Sequence, residues 1–242
     1  MADYKITIVH LYPNLLNLYG DKGNIECMKK RLLWRGIDVE VVTVIDDEEI
    51  DFDKADIVFL GGGSERELRI VAERLFNKKQ QISGFVENNG SLMAVCEGFE
   101  LLGKYYYIGK EKTEGLGILD IYTEISADGS RFTGDVILEC DGISNKVVGF
   151  ENHGGITNIN DYTPLGKVLK GNGNDKVSGV EGVIYKNVMG THLHGPIFPK
   201  NPELCDKFLL NTLKHKYNDF AEFSPLNDEI ENLANQYMVN RG

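Results

Sequence analysis

Four short apolar runs, each broken by glycines or by a stretch of helical period, limit the folds open to this chain. They are KITIVHLY (5–12), DVEVVTV (38–44), DIVFLGGG (56–63) and SLMAV (91–95). The first, third and fourth are largely apolar rather than alternating, the mark of a strand covered on both faces, as in a parallel sheet. Between the first two, Gly23 and Asn24 open a stretch with Ile25, Met28 and Leu32 at helical spacing, closing at Gly36. After the third, Leu68, Val71, Ala72, Leu75 and Phe76 form a second helical stripe. Strands alternating with helices predict an α/β fold with a mostly parallel central sheet and helices on both faces.

From about 117 to 187 the helical period disappears. Short runs such as GDVILEC and KVVGFEN lie between Gly, Asn and Asp turns, which predicts an antiparallel excursion. VMGTHLH (188–194) reads as one last strand, and PELCDKFLLNTLKHK as a helix with Leu204, Cys205, Phe208, Leu209, Thr212 and Leu213 inward. The acidic loop 46–56 reads as a solvated connection. Residues 1–216 are expected to form one domain. The acidic tail 217–242 is expected to be helical and to pack on that domain or on a partner through Ile230, Leu233, Ala234 and Tyr237.

Composition excludes several classes. A formal net charge of -11 leaves no basic stripe for a phosphate backbone. No run approaches the roughly 20 apolar residues of a membrane span. The start, MADYKITIVHLYPNLL, has no basic n-region or cleavage site, so no signal peptide is read and a cytoplasmic location is expected. The four cysteines (Cys27, Cys96, Cys140 and Cys205) form no CxxC, which excludes that type of zinc or dithiol motif.

One cysteine stands apart. In SLMAVCEGFELLG, Cys96 is the corner between a strand and a helix, a place that presents a side chain beside free backbone N–H groups. The GGGSER turn after the third strand is either an anion cradle or simply a tight turn. Gly98 to Tyr105 nearly spells a phosphate loop, but Tyr105 replaces the small hydroxyl residue that holds magnesium, so no ATP site is read here. In THLHG, His192 and His194 are two apart on the expected strand and so share a face. They are a candidate metal pair lacking a clear third ligand, or one of them is a general base for Cys96. His10, His153 and His215 default to structural roles.

A cysteine elbow, a triple-glycine turn one strand earlier and a late G-T-x-L-H-G together resemble the class I glutamine amidotransferases, most closely the CobB/CobQ-like branch of cobyric acid synthases. LYPNLLNLYGDKGN (11–24), GGGSERE (61–67), GFENHGG (149–155) and VEGVIYKNVMGTHLHGPIFPKNP (180–202) are similar to the glutaminase subunits of lipid II isoglutaminyl synthase, the GatD family. The resemblance covers about residues 4–215. It implies a glutaminase that feeds ammonia to a separate Mur-ligase-like subunit of the MurT type, forming a heterodimer. That partner would hold ATP and magnesium and amidate the D-glutamate of the peptidoglycan stem to D-isoglutamine. No cofactor or metal is expected on this chain.

The resemblance also implies roles for residues. Cys96 would be the nucleophile, with a pKa expected to fall at the helix start and beside imidazolium, and His194 the base. Backbone N–H groups of Gly62 or Gly63 and of Glu97 would hold the oxyanion. Arg131, in SRFTGD, would bind the glutamine α-carboxylate, unless it is a surface arginine on a turn. Three positions depart from the family pattern. Pro196 stands where many amidotransferases carry an acid two residues after the histidine, and in this family the ligase partner is expected to supply that acid. Glu97 replaces a glycine, and its carboxylate would raise the thiol pKa if it points inward. Glu100 replaces a glutamine near substrate, where it would repel the substrate carboxylate or bind its ammonium. These two glutamates leave open a non-catalytic binding or regulatory module on the same fold.

Overall fold

The structure is a computed structural model that describes residues 4–46, 48–126 and 129–241. Residues 1–3, part of the segment read above as lacking a signal peptide, lie outside it, as does Asp47 of the acidic loop. A six-stranded sheet forms the centre. It contains β1 (Lys5–Leu11), β2 (Asp38–Val44), β3 (Ile57–Leu60), β4 (Ser91–Val95) and two later strands, Val183–Tyr185 and Val188–Thr191. In spatial order β2, β1, β3, β4 and Val188–Thr191 run parallel, and Val183–Tyr185 closes one edge antiparallel.

The pleat sorts the strand residues into two cores. Val9, Leu11, Val58, Leu60, Leu92 and Ala94 face α2 (Glu65–Phe76) and α3 (Lys79–Glu87). Ile6, Ile8, Ile57, Phe59, Met93 and Val95 face α1 (Lys22–Leu33) and the helix Pro202–Lys216. A period of two with both sets apolar explains why the strands read as continuous apolar runs. Ser64 caps α2 in a capping box with Glu67, which ends the glycine turn and starts the helix. Phe76, counted above in the α2 stripe, is instead 40 % exposed, because the core is already filled by Leu75 one residue earlier.

The antiparallel part starts earlier than expected, with a hairpin of Tyr105–Ile108 and Glu111–Glu114. A five-stranded sheet then runs in the order Val180–Glu181, Gly166–Lys170, Phe132–Glu139, Val147–His153, Leu193–His194. The expected single strand 188–194 is therefore split. Val188–Thr191 belongs to the central sheet, whereas Leu193–His194 pairs with Phe150 and Glu151 of the second. The acidic connection is not wholly solvated either, since Ile50 is buried and Phe52 packs on Phe85 of α3.

The C-terminal helix, Glu229–Arg241, lies polar side inward. Asn235 donates to the carbonyls of Lys146 and Lys200, and Asn145 donates to Asn232. Arg31 of α1 grips Asp206 and Asp228 with paired hydrogen bonds of 2.6–2.8 Å. The expected stripe points the other way, with Ile230 79 %, Leu233 60 % and Tyr237 66 % exposed. Burying the asparagines satisfies carbonyls that the stripe could not.

Candidate active site

Four neighbouring parallel strands end at one place. In open α/β sheets the crevice outside the carboxyl ends of the strands is where ligands bind. Cys96 directly follows β4, the glycines 61–63 follow β3, the loop holding Asp21 follows β1, and His194 follows Val188–Thr191. A larger depression of about 830 Å³ lies at the amino ends of β3 and β4, and none of these residues lines it.

Cys96 has φ 52° and ψ -114°, a conformation that L residues rarely adopt. It is held there by its N–H donating to the Thr191 carbonyl at 2.8 Å and by its carbonyl accepting from Glu100 at 3.0 Å. The short helix α4 (Glu97–Leu101) then leaves the sheet so close to β3 that a Cβ on Gly98 would sit 2.6 Å from the Gly61 carbonyl oxygen. This is the glycine of CEGFELLG, and its place in α4 removes the phosphate-loop reading. Strain held at such a corner is characteristic of functional sites.

His194 Nδ1 lies 3.1 Å from Asp21 Oδ1, and both side chains are fully buried. The other oxygen, Asp21 Oδ2, accepts the Gly62 N–H at 2.9 Å. Gly62 is therefore not free to hold an oxyanion, a correction to the expectation that it could. His194 Nε2 is buried without a hydrogen-bond partner, and so is Glu97 Oε2. A ring nitrogen of His194, the Cys96 sulfur and a Glu97 carboxylate oxygen all lie within 4.8 Å of one another. Gly62 makes room for them, since a Cβ there would come 2.9 Å from Glu97 Oε2 and 3.0 Å from His194 Cε1.

His192 does not share this group. Because the strand changes sheets after Thr191, His192 turns to Thr157 (2.9 Å) and stacks on His153 with ring centroids 3.9 Å apart and planes at 6°. His153 and His192 with Glu100 form a second buried cluster. Two parallel rings that far apart direct their nitrogen lone pairs in separate planes, so they do not converge on one ion as they stand. The expected shared face of His192 and His194 fails for the same reason: the two-residue period holds only within one strand.

The charges are unlike those expected. Burial pushes the Cys96 thiol well above its ordinary value, and Glu97, Glu100 and Asp21 push it further the same way. The expected fall at the helix start is reversed, because a fully buried sulfur among carboxylates outweighs one short turn of helix. Glu97 is raised by burial, although its own N–H, the thiol, His194 and the Gly63 N–H favour its charged form. Its carboxyl therefore stands over the N–H groups of Gly63 and Glu97. Glu100 is raised well above the usual carboxylate range by burial and by Glu97, with Arg131 opposing. Burial and the charges of His153 and His194 hold His192 well below the usual imidazole range.

A cavity of about 580 Å³ opens beside the elbow, lined by Glu97, Glu100, Thr123, Arg131 and His153 among others. Arg131 is exposed at its mouth and bonds the side chain and carbonyl of Asn152 (3.1 and 2.9 Å). Asn152 in turn donates to the Tyr19 hydroxyl, and the Tyr19 ring stands edge-on to His194 at 4.9 Å. Sequence reasoning missed Asp21 and Tyr19. Both lie in LYGDKGN, where an aspartate before a helix reads as an ordinary cap.

A model of the CobB/CobQ-like glutamine amidotransferase domain matches residues 7–202. The chain belongs to that family. Its relatives there include the GatD subunits of lipid II isoglutaminyl synthase (glutamine-hydrolyzing). The Staphylococcus aureus subunit is 41% identical over 98% of this chain and 96% of its own length. The Streptococcus pneumoniae subunit is 39% identical over 97% and 91%. A probable cobyric acid synthase of Methanosphaera stadtmanae is 31% identical over 66% of this chain and 33% of its own. Among solved structures, a glutamine amidotransferase superposes with a TM-score of 0.57 at 18% identity, over 84% of this chain and 98% of that one. Another from Thermotoga maritima does so at 0.53 and 12%, over 98% and 91%. At those identities the superpositions speak for the fold alone, which is that of the glutamine amidotransferases. This amidotransferase chain has no helix, among the described residues, long and apolar enough to cross a membrane.

Proposed function

We propose that this amidotransferase chain hydrolyses L-glutamine with Cys96 and His194 and passes the ammonia to a Mur-ligase-like subunit. That subunit, of the MurT type, would hold ATP and magnesium and amidate the stem-peptide D-glutamate of lipid II in the cytoplasm. The observation that carries the chemistry is a ring nitrogen of His194 within 4.8 Å of the Cys96 sulfur, on an imidazole whose Nε2 has no hydrogen-bond partner. The names and lengths of the GatD relatives carry the pathway.

In this reading His194 Nε2 takes the thiol proton and the sulfur attacks the carboxamide carbon. The N–H groups of Gly63 and Glu97 hold the oxyanion; removing one such donor typically costs ~10²–10³ in rate. His194 returns the proton to the departing ammonia, and water then cleaves the thioester. Arg131 takes the substrate α-carboxylate and Glu100 its ammonium, both from the wall of the cavity. Glutamine must first displace the Glu97 carboxyl, since Cys96 lies fully buried behind it.

That last observation favours a second reading, a binding or regulatory module whose nucleophile is retired by Glu97. Ammonia release from glutamine decides between them, measured for the chain alone and with its ligase-type partner. Release abolished by Cys96→Ser and by His194→Ala supports the glutaminase. No release with partner, ATP and acceptor present refutes it.

A further inference from the structure

The fold leaves three donor groups at the elbow unused. His194 Nε2 and Glu97 Oε2 are buried with no hydrogen-bond partner, and the Cys96 thiol lies fully buried beside them. The geometry points to Cys96, Glu97 and His194 as a binding site for a zinc-class divalent metal ion that holds the nucleophile in a blocked state. Metal binding stands apart from the glutaminase reading above; its effect on activity rests on that reading.

Four observations carry it. First, one donor atom from each residue (a sulfur, a ring nitrogen and a carboxylate oxygen) lies within 4.8 Å of the other two. Zinc holds such donors at about 2.0–2.3 Å, which sets them about 3–4 Å from one another, so a small closing of the triangle brings all three into range. Second, there is room between them. A Cβ on Gly62 would stand 2.9 Å from Glu97 Oε2, 3.0 Å from His194 Cε1 and 3.3 Å from Cys96 Cβ, so the missing side chain leaves a space that all three residues border. Third, His194 Nδ1 is bonded to Asp21 Oδ1 at 3.1 Å, which leaves Nε2 as the nitrogen open to an ion. A histidine that binds a metal commonly carries a carboxylate on its other nitrogen. Fourth, Glu97, Glu100 and Asp21 all place negative charge around the sulfur, and a dication offsets it.

The donor set selects the ion. One thiolate with one imidazole suits zinc or cobalt, whereas magnesium and calcium prefer oxygen throughout. Three protein ligands leave the fourth tetrahedral position to water from the neighbouring cavity, which Glu97 lines. Glu97 is the residue that makes the site. A glycine at 97, as in the family pattern, would leave two ligands, too few to hold an ion against water. On binding, Cys96 gives its thiol proton to solvent. The ion then takes the sulfur and nitrogen electron pairs that attack and proton transfer need, and a chelator restores them. The cluster of Glu100, His153 and His192 offers no such site, because its two rings stack instead of converging.

The test titrates the full chain, first stripped with a chelator, with cobalt(II) and then with zinc. The expected result is one cobalt per chain, with thiolate-to-cobalt charge-transfer absorption and the intense visible bands of four-coordinate cobalt, all displaced by zinc. Cys96→Ser should abolish the charge-transfer band. Glu97→Gly should weaken binding by about a hundredfold or more, since losing even an outer partner of a ligand typically costs about 10–100-fold. Cys27→Ser, which breaks the thiol pair that Cys27 makes with Cys205 at 3.9 Å, should leave the band unchanged. A band that survives Cys96→Ser, or no band in wild type, overturns the proposal. With the partner present, zinc should lower ammonia release by about tenfold or more and a chelator should restore it; release unchanged by bound zinc overturns the blocked state. Should the variants fail to fold, wild type decides: alkylation of Cys96 by iodoacetamide slowed about tenfold by zinc supports the site, and an unchanged rate overturns it. Should metal-free wild type release no ammonia, the glutaminase reading fails, whereas the cobalt titration still decides the site.

Discussion

Replacing Glu97 with glutamine should make Cys96 react faster. The side chain keeps its size, so access to the sulfur is unchanged and only charge is removed. A Glu97 oxygen lies within 4.8 Å of the sulfur. Two unit charges that far apart, at an effective dielectric of ~20, repel by about 3 kcal/mol. At about 1.4 kcal/mol per decade, this is up to about a hundredfold in thiolate population, and partial solvent screening reduces it. The expected gain is about tenfold or more in the rate of Cys96 alkylation by iodoacetamide at neutral to mildly alkaline pH. Burial, the larger cause of the raised thiol pKa, stays in place, so the variant thiol remains above its ordinary value. The sign reverses nowhere, but the gain shrinks at low pH, where Glu97, itself raised by burial, becomes neutral in wild type too. Mass spectrometry of the Cys96 peptide across pH 6–10 gives the rate, with the partly exposed Cys27 as internal reference. Superimposable profiles for variant and wild type would refute the assignment of Glu97 as the charge that suppresses the nucleophile.

Two further predictions concern stability. Arg31→Ala leaves Asp228 without its guanidinium while Arg35 still holds Asp206, and should cost about 3 kcal/mol in urea unfolding, with Arg31→Lys failing to restore it because one ammonium cannot make two paired contacts. Glu181 is fully buried, and burial raises it to about 8 although Thr191 and the His192 N–H donate to it. Its folded value exceeds the ordinary 4.5, so the folded state keeps a proton the unfolded chain loses, and stability falls as pH rises from about 4.5 to about 8. Glu181→Gln should remove that component, up to about 1.4 kcal/mol per pH unit; equal slopes for variant and wild type in thermal melts would count against it.

Much of this molecule could be read from windows of the sequence. The central strands, the two cores they separate and the Cys96 corner follow from periods of two and 3.6, which are properties of local backbone geometry. Gly98 was equally legible as part of the elbow motif. Three readings failed where a local rule met a distant neighbour. His192 and His194 were assigned one face, but the backbone leaves the central sheet between them. The helix start was expected to lower the Cys96 pKa, but four strand ends bring three carboxylates around a sulfur without water. The Ile230–Tyr237 stripe was expected to pack inward, but carbonyls of Lys146 and Lys200 claim the polar side of that helix.

Asp21 shows the division most clearly. By itself the sequence determined that an α/β sheet forms, that a cysteine stands at a strand–helix corner, and that a late histidine belongs with it. Only the tertiary structure decided that Asp21, 173 residues before His194, is the acid on that histidine, and that Gly62 is bound to it. Secondary structure is set by contacts a few residues apart and leaves a periodic trace. Hydrogen bonds between strand ends, and the low dielectric that shifts a pKa there, depend on what the folded chain brings together, and no window of sequence contains them.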